Sequence, residues 1–114
     1  MTTKCIYTCS STGVLSDIKA IAQTVKSISP ETLVVVDGVC SVGSEEIRFD
    51  EWQIDIVISG SQKGLGVPPG LSVVVASQQA IKVYKSRTTP IVSYYSNWNK
   101  WLPSKFYFIF RDWI

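Results

Sequence analysis

Three near-continuous apolar runs, TLVVV at residues 32–36, IDIVIS at 54–59 and LSVVVA at 71–76, limit what this chain can become. Runs of this kind, rich in β-branched side chains and lacking strict alternation, belong to strands covered on both faces. None approaches the ~18 apolar residues that a membrane span requires. Between them the periodicity changes. Ile18, Ile21, Ala22, Val25 and Ile28 recur at three- and four-residue spacing, which predicts a helix over residues 17–28 with Ser16 as its N-cap and Pro30 beyond its end. A short strand over residues 4–8 precedes it, and Ser77 is placed to cap a second helix over residues 78–86. Strands alternating with helices predict an α/β fold, a mainly parallel sheet with flanking helices. No internal repeat is present.

Composition removes several classes of function. With 114 residues, 46% of them apolar, the chain fits one domain. Its net charge of +2, without a basic block, disfavours nucleic acid as a partner. Cys5, Cys9 and Cys40 form no CxxC pair and no even disulfide set, so a reducing compartment is expected. No histidine occurs, which excludes Ser-His-Asp and Cys-His chemistry within this chain and removes the commonest metal ligand. The N-terminal stretch lacks the apolar core of a signal peptide, and the expectation is a soluble intracellular protein without a membrane partner.

Ligands in open α/β sheets collect beyond the carboxyl ends of parallel strands. Three segments fall at such positions: residues 10–13 after the first strand, Asp37 closing the second, and Lys63 just past the third. Taken singly, each has an ordinary structural explanation as a helix cap, a solvated turn carboxylate and a surface lysine. Together they make a chemical set. A lysine amine acts as a nucleophile by forming an imine with a carbonyl, and pyridoxal phosphate is the cofactor that uses one most widely. Its ring nitrogen needs a carboxylate, and its phosphate needs donors of the sort that small hydroxyl residues and glycine loops provide. The stretch SGSQKGLGVPPG at residues 59–70 supplies Gly60, Gly64, Gly66 and Gly70 around the lysine. Two rival phosphate motifs fail: Gln62 and Gly64 flank Lys63 where GxxxxGK[ST] would need other residues, and Gly64, Gly66 and Gly70 have GxGxxxG spacing before a strand.

The segment VVVDGVCSVGSEEIRFDEWQIDIVISGSQKGLGVPPGLSVVV, with SSTGVLSDIKAI upstream, resembles the alanine-glyoxylate aminotransferase family, class V of the fold-type I pyridoxal phosphate enzymes. The likeness covers roughly residues 5–102. It implies that residues 1–102 are a central fragment of an aminotransferase large domain, an incomplete α/β unit, with residues 103–114 a divergent aromatic tail. It also implies that pyridoxal 5′-phosphate is held covalently by Lys63, which then shuttles the substrate proton. Asp37 would pair with the pyridinium nitrogen, Val39 would pack on the ring, Ser10 would lie near its polar edge and Gln62 would help to hold the phosphate. The implied reaction forms glycine, converting alanine and glyoxylate to pyruvate and glycine, with serine-pyruvate and phosphoserine aminotransferases as near neighbours. Small amino and 2-oxo acids would be the substrates, and the family homodimer the assembly.

The chain departs from the family pattern at Tyr7 and Cys9, where a histidine and an acidic or similar polar residue are usual. Segments that carry the family's upstream phosphate loop, its ring-stacking aromatic and its substrate-binding arginine are not in this sequence. A catalytically inactive fragment that keeps the α/β scaffold and acts as an interaction module is the alternative expectation. Nine of the chain's thirteen aromatic residues lie from Tyr94 onward, without the helical face of an interfacial anchor. The family includes peroxisomal and mitochondrial enzymes. The ending DWI is no peroxisomal address, and the cytoplasm is the compartment otherwise expected.

Overall fold

The computed structural model describes residues 3–7 and 13–102. Four strands form one sheet in the order β1 (Thr3–Tyr7), β2 (Leu33–Asp37), β3 (Ile56–Gly60) and β4 (Ser72–Ala76). β1, β2 and β3 run parallel, with Cys5 opposite Val35 and Val36 opposite Val57. β4 returns antiparallel to β3, pairing Gly60 with Ser72 and Ile56 with Ala76. The sheet is therefore mixed: two of the three apolar runs form β2 and β3 in its parallel part, and the third forms the antiparallel β4.

Helix α1 (Ile18–Ile28) makes the β1–β2 crossover. Its N-cap is Asp17 rather than Ser16: the Asp17 carboxylate accepts from the Ala20 amide at 2.9 Å, while the Ser16 carbonyl is used by the Ile18 amide in the preceding turn. The helix stops at Ser29, since a residue before proline is disfavoured in the helical region. Its inward stripe is Ile18, Ala22 and Lys26, whereas Ile28 is 79% exposed. Ile18 and Ala22 pack with Val34, Val36, Trp52, Ile54 and Val57 in one core cluster. The alternation of β2 sends Val34 and Val36 to that core and leaves Val35 and Asp37 half-buried on the opposite face.

The β2–β3 crossover, residues 38–55, is built from turns and not from a helix. Its polar appearance is misleading, because Trp52 and Ile54 are core residues and Ile47 and Phe49 pack against them. Helix α2 (Gln78–Lys85) follows β4 and is capped by Ser77, whose hydroxyl accepts from the Ala80 amide at 3.1 Å. A short 3-10 turn (Trp98–Lys100) is tied back to α2 through Tyr84, which stacks on Trp98 and donates to Asn97 Oδ1. No helix among the described residues is long and apolar enough to cross a membrane.

Candidate functional site

Asp37 is the last residue of β2, and Lys63 lies three residues past the end of β3, so the parallel pairing brings both to the carboxyl edge of neighbouring strands. The Asp37 Oδ1 accepts from the Val39 amide at 3.2 Å, which fixes the carboxylate to the turn it opens. Val39 is half-buried in that turn. The turn is tight: the Gly38 carbonyl accepts from Ser41 and Val42, and the Ser41 carbonyl accepts from Ser44 and Glu45. The Gly38 amide meanwhile donates to the Ile58 carbonyl at 2.8 Å, continuing the β2–β3 ladder past Asp37. Gly38 is required there, since a Cβ would sit 2.8 Å from the Val42 side chain.

The Lys63 loop is closed at its base by Ser61, which is 2% exposed. Ser61 Oγ donates to the Pro68 carbonyl at 2.8 Å and accepts from the Leu71 amide at 3.3 Å, and the Ser61 amide donates to the Leu71 carbonyl. Within the loop, the Gly66 amide donates to the Lys63 carbonyl. Gln62 bends back over the end of β3, its Oε1 2.8 Å from where a Gly60 Cβ would stand. The loop also meets the turn after β2. The backbone of Gly64 lies against the Val42 carbonyl, and a Cβ on Gly43 would be 2.9 Å from the Gly64 carbonyl.

The result is a ledge and not a closed chamber. Residues 62–70 are all exposed, including Lys63. Two cavities among the described residues, of about 430 Å³ beside Tyr84 and Arg87 and about 480 Å³ beside Lys26 and Asp55, include neither Asp37 nor Lys63. Of the residues expected at the site, Asp37, Val39, Gln62 and Lys63 lie on two interlocked loops, while Ser10 falls outside the described residues. Sequence reasoning did not single out Ser61, Gly38 or Gly43 as shaping the site. For Ser61 the available signal was its position between an apolar run and the lysine.

An exposed primary amine, a half-buried carboxylate on the adjacent strand and a glycine-rich backbone suit a flat anionic ring that carries an aldehyde. Gly66 and Gly70 have positive φ and no atom within 4 Å of a would-be Cβ, so the backbone beyond Lys63 is open to close approach. This donor set fits pyridoxal phosphate.

The profile of the family described as Aminotransferase class-V matches residues 4–102. Alanine–glyoxylate aminotransferase 1 of Saccharomyces cerevisiae is 45% identical over 95 residues, covering 82% of this chain and 25% of the yeast protein. Serine–glyoxylate aminotransferase of Arabidopsis thaliana is 37% identical over 102 residues, covering 90% of this chain and 24% of the plant protein. The crystal structure of an alanine–glyoxylate aminotransferase from Nostoc superposes with a TM-score of 0.78 at 31% identity, covering 87% of this chain and 26% of the Nostoc chain. The chain thus spans about a quarter of the length of these relatives.

Proposed function

The chain belongs to the class-V aminotransferase family and folds as part of a fold-type I large domain, and from that premise we propose that it carries the cofactor-anchoring centre of a glyoxylate aminotransferase. The observation that carries this reading is the lysine loop locked against the turn that follows Asp37. Pyridoxal phosphate, when held there, supplies an electron sink for the carbanion formed at the substrate α-carbon. Lys63 Nζ would hold the cofactor covalently and would serve as the base that moves the substrate α-proton. The Asp37 carboxylate would keep a proton on the ring nitrogen of the bound cofactor. Gln62 and Ser10 offer a side-chain amide and a hydroxyl to the phosphate and the polar edge, and Val39 offers an apolar contact to the ring face. The similarity to yeast and plant enzymes named for glyoxylate supports glyoxylate as the acceptor. Alanine is the proposed donor, leaving as pyruvate while glyoxylate leaves as glycine, on the strength of the 45% identity to the yeast protein. A homodimer and an intracellular compartment complete the proposal, the latter supported by the free, exposed Cys40.

The exposure of Lys63 and the quarter-length span favour a second reading for the chain alone, a scaffold with weak or no turnover. Reduction with borohydride after addition of pyridoxal phosphate, followed by peptide mapping, tests the anchor. The expected result is a label concentrated on Lys63 and lost in Lys63→Ala. A label spread evenly over Lys19, Lys82, Lys85 and Lys100 would overturn it. Pyruvate formation from alanine and glyoxylate, followed in the same preparation, is expected to be slow or absent.

A further inference from the structure

We propose that Gly43 is a positioning residue for Lys63, an inference that rests on the reading of Lys63 as the anchor. The Ser61 clamp fixes the shape of the lysine loop but not its place relative to β2. That place is set where the loop leans on the turn after β2. The turn itself is fixed to Asp37, because Gly38 and Ser41 carbonyls hold residues 38–45 in successive hydrogen-bonded turns and the Gly38 amide is bonded to β3. Gly43 is the residue of that turn whose own Cβ position is filled by the loop. It has φ +96°, and a Cβ on it would stand 2.9 Å from both the carbonyl carbon and the carbonyl oxygen of Gly64 and 3.3 Å from Leu65 Cδ2. Real Cβ atoms do not approach backbone so closely, so any side chain at position 43 displaces the Gly64–Leu65 peptide, one peptide beyond Lys63. Chemistry that depends on two groups meeting one ring is sensitive to shifts of about 1 Å. Gly43 therefore sets the separation between the amine and the Asp37 carboxylate without touching substrate or cofactor.

Two different costs attach to replacing Gly43, and two variants separate them. Alanine would bring both a strained left-handed backbone and a Cβ, whereas asparagine tolerates the left-handed region but still brings the Cβ. The full chain, Gly43→Ala and Gly43→Asn are compared by amide hydrogen exchange at Gly66 and Val67, whose amides donate to the Lys63 and Ser61 carbonyls. Both variants are expected to speed exchange at these two amides about tenfold, as in local opening of a loop, while Val36 and Val57 in the core stay protected. Both are also expected to move the reductive pyridoxal phosphate label from Lys63 towards Lys82 and Lys85. If Gly43→Asn exchanges like the parent chain, or if protection is lost equally in core and loop, the positioning role is overturned. Should the parent chain show no preference for Lys63, the anchor reading fails, while the exchange measurement still decides whether Gly43 seats the loop.

Discussion

Asp55 shows how one buried carboxylate can join four elements. Its Oδ2 accepts from Lys26 Nζ at 2.6 Å and from the Val34 amide at 2.8 Å, and its Oδ1 accepts from Ser77 Oγ at 3.0 Å. Its own amide and carbonyl bond Val34 and Ser77, so α1, β2, β3 and the cap of α2 converge on it. Lys26 Nζ also donates to the Thr32 carbonyl at 2.9 Å and to the Pro30 carbonyl at 3.4 Å. Both side chains are almost fully buried, at 8% and 4% exposure. Removing one member of such a pair leaves an uncompensated charge, which costs roughly 3–5 kcal/mol. Asp55→Ala is accordingly expected to lower the urea midpoint more than Lys26→Met, because it strands the Lys26 ammonium, the Val34 amide and the Ser77 hydroxyl together. Equal midpoints for the parent chain and Asp55→Ala would contradict this. Nothing in the sequence marked the pair: a lysine in an amphipathic helix and an aspartate inside an apolar run both look like surface residues until the fold brings them together. The chain's two notable lysines are thus opposites, Lys26 buried and structural, Lys63 exposed and available.

At the scale of the element, the segment from Ser61 to Leu71 behaves as one clamped unit. Its Gly and Pro content made a loop legible, but the side chain that closes it was not, since serine hydroxyls form such bonds only when the returning strand places a carbonyl within reach. Ser61→Ala removes two hydrogen bonds at a buried position, a loss of about 1–3 kcal/mol that should fall on the loop and leave the rest of the sheet in place. The expected outcome is faster tryptic cleavage after Lys63 with little change in far-UV circular dichroism; unchanged cleavage would mean that the loop is held elsewhere. The crossover at 38–55 taught the converse lesson. Its charges are genuine surface features, with exposed Arg48 bonded to Glu46 at 2.7 Å and Glu51 at 3.1 Å, and these carboxylates raise the Arg48 pKa, the Glu46 hydrogen bond most. Exposed pairs of this kind contribute little. The segment is held by Trp52 and Ile54 instead, which composition obscured.

Across the whole molecule the two faces of the sheet are unequal. One is closed by α1 and the crossover around Val34, Val36 and Val57. The other carries Val35, Ile56 and Ile58, only half-buried, and Val74 at 45% exposure. Contiguous apolar surface of this kind promotes association, so the isolated chain is expected to sediment as more than a monomer and to bind a hydrophobic dye. Val74→Lys, on the antiparallel edge strand, should reduce both without lowering the thermal midpoint; no change in sedimentation would place the association elsewhere. The apolar runs alone were sufficient to determine three strands and the α/β class, because periodicity and β-branching act locally along the chain. The placement of Asp37 and Lys63 at the carboxyl edge of neighbouring strands was legible for the same reason, as residues at the ends of those runs. Only the tertiary structure decided that β4 turns back antiparallel, that one sheet face stays open, that Lys26 finds Asp55, and that Gly43 meets Gly64. Each of these depends on contacts between segments distant in sequence, and such contacts exist only once the strands are paired in register.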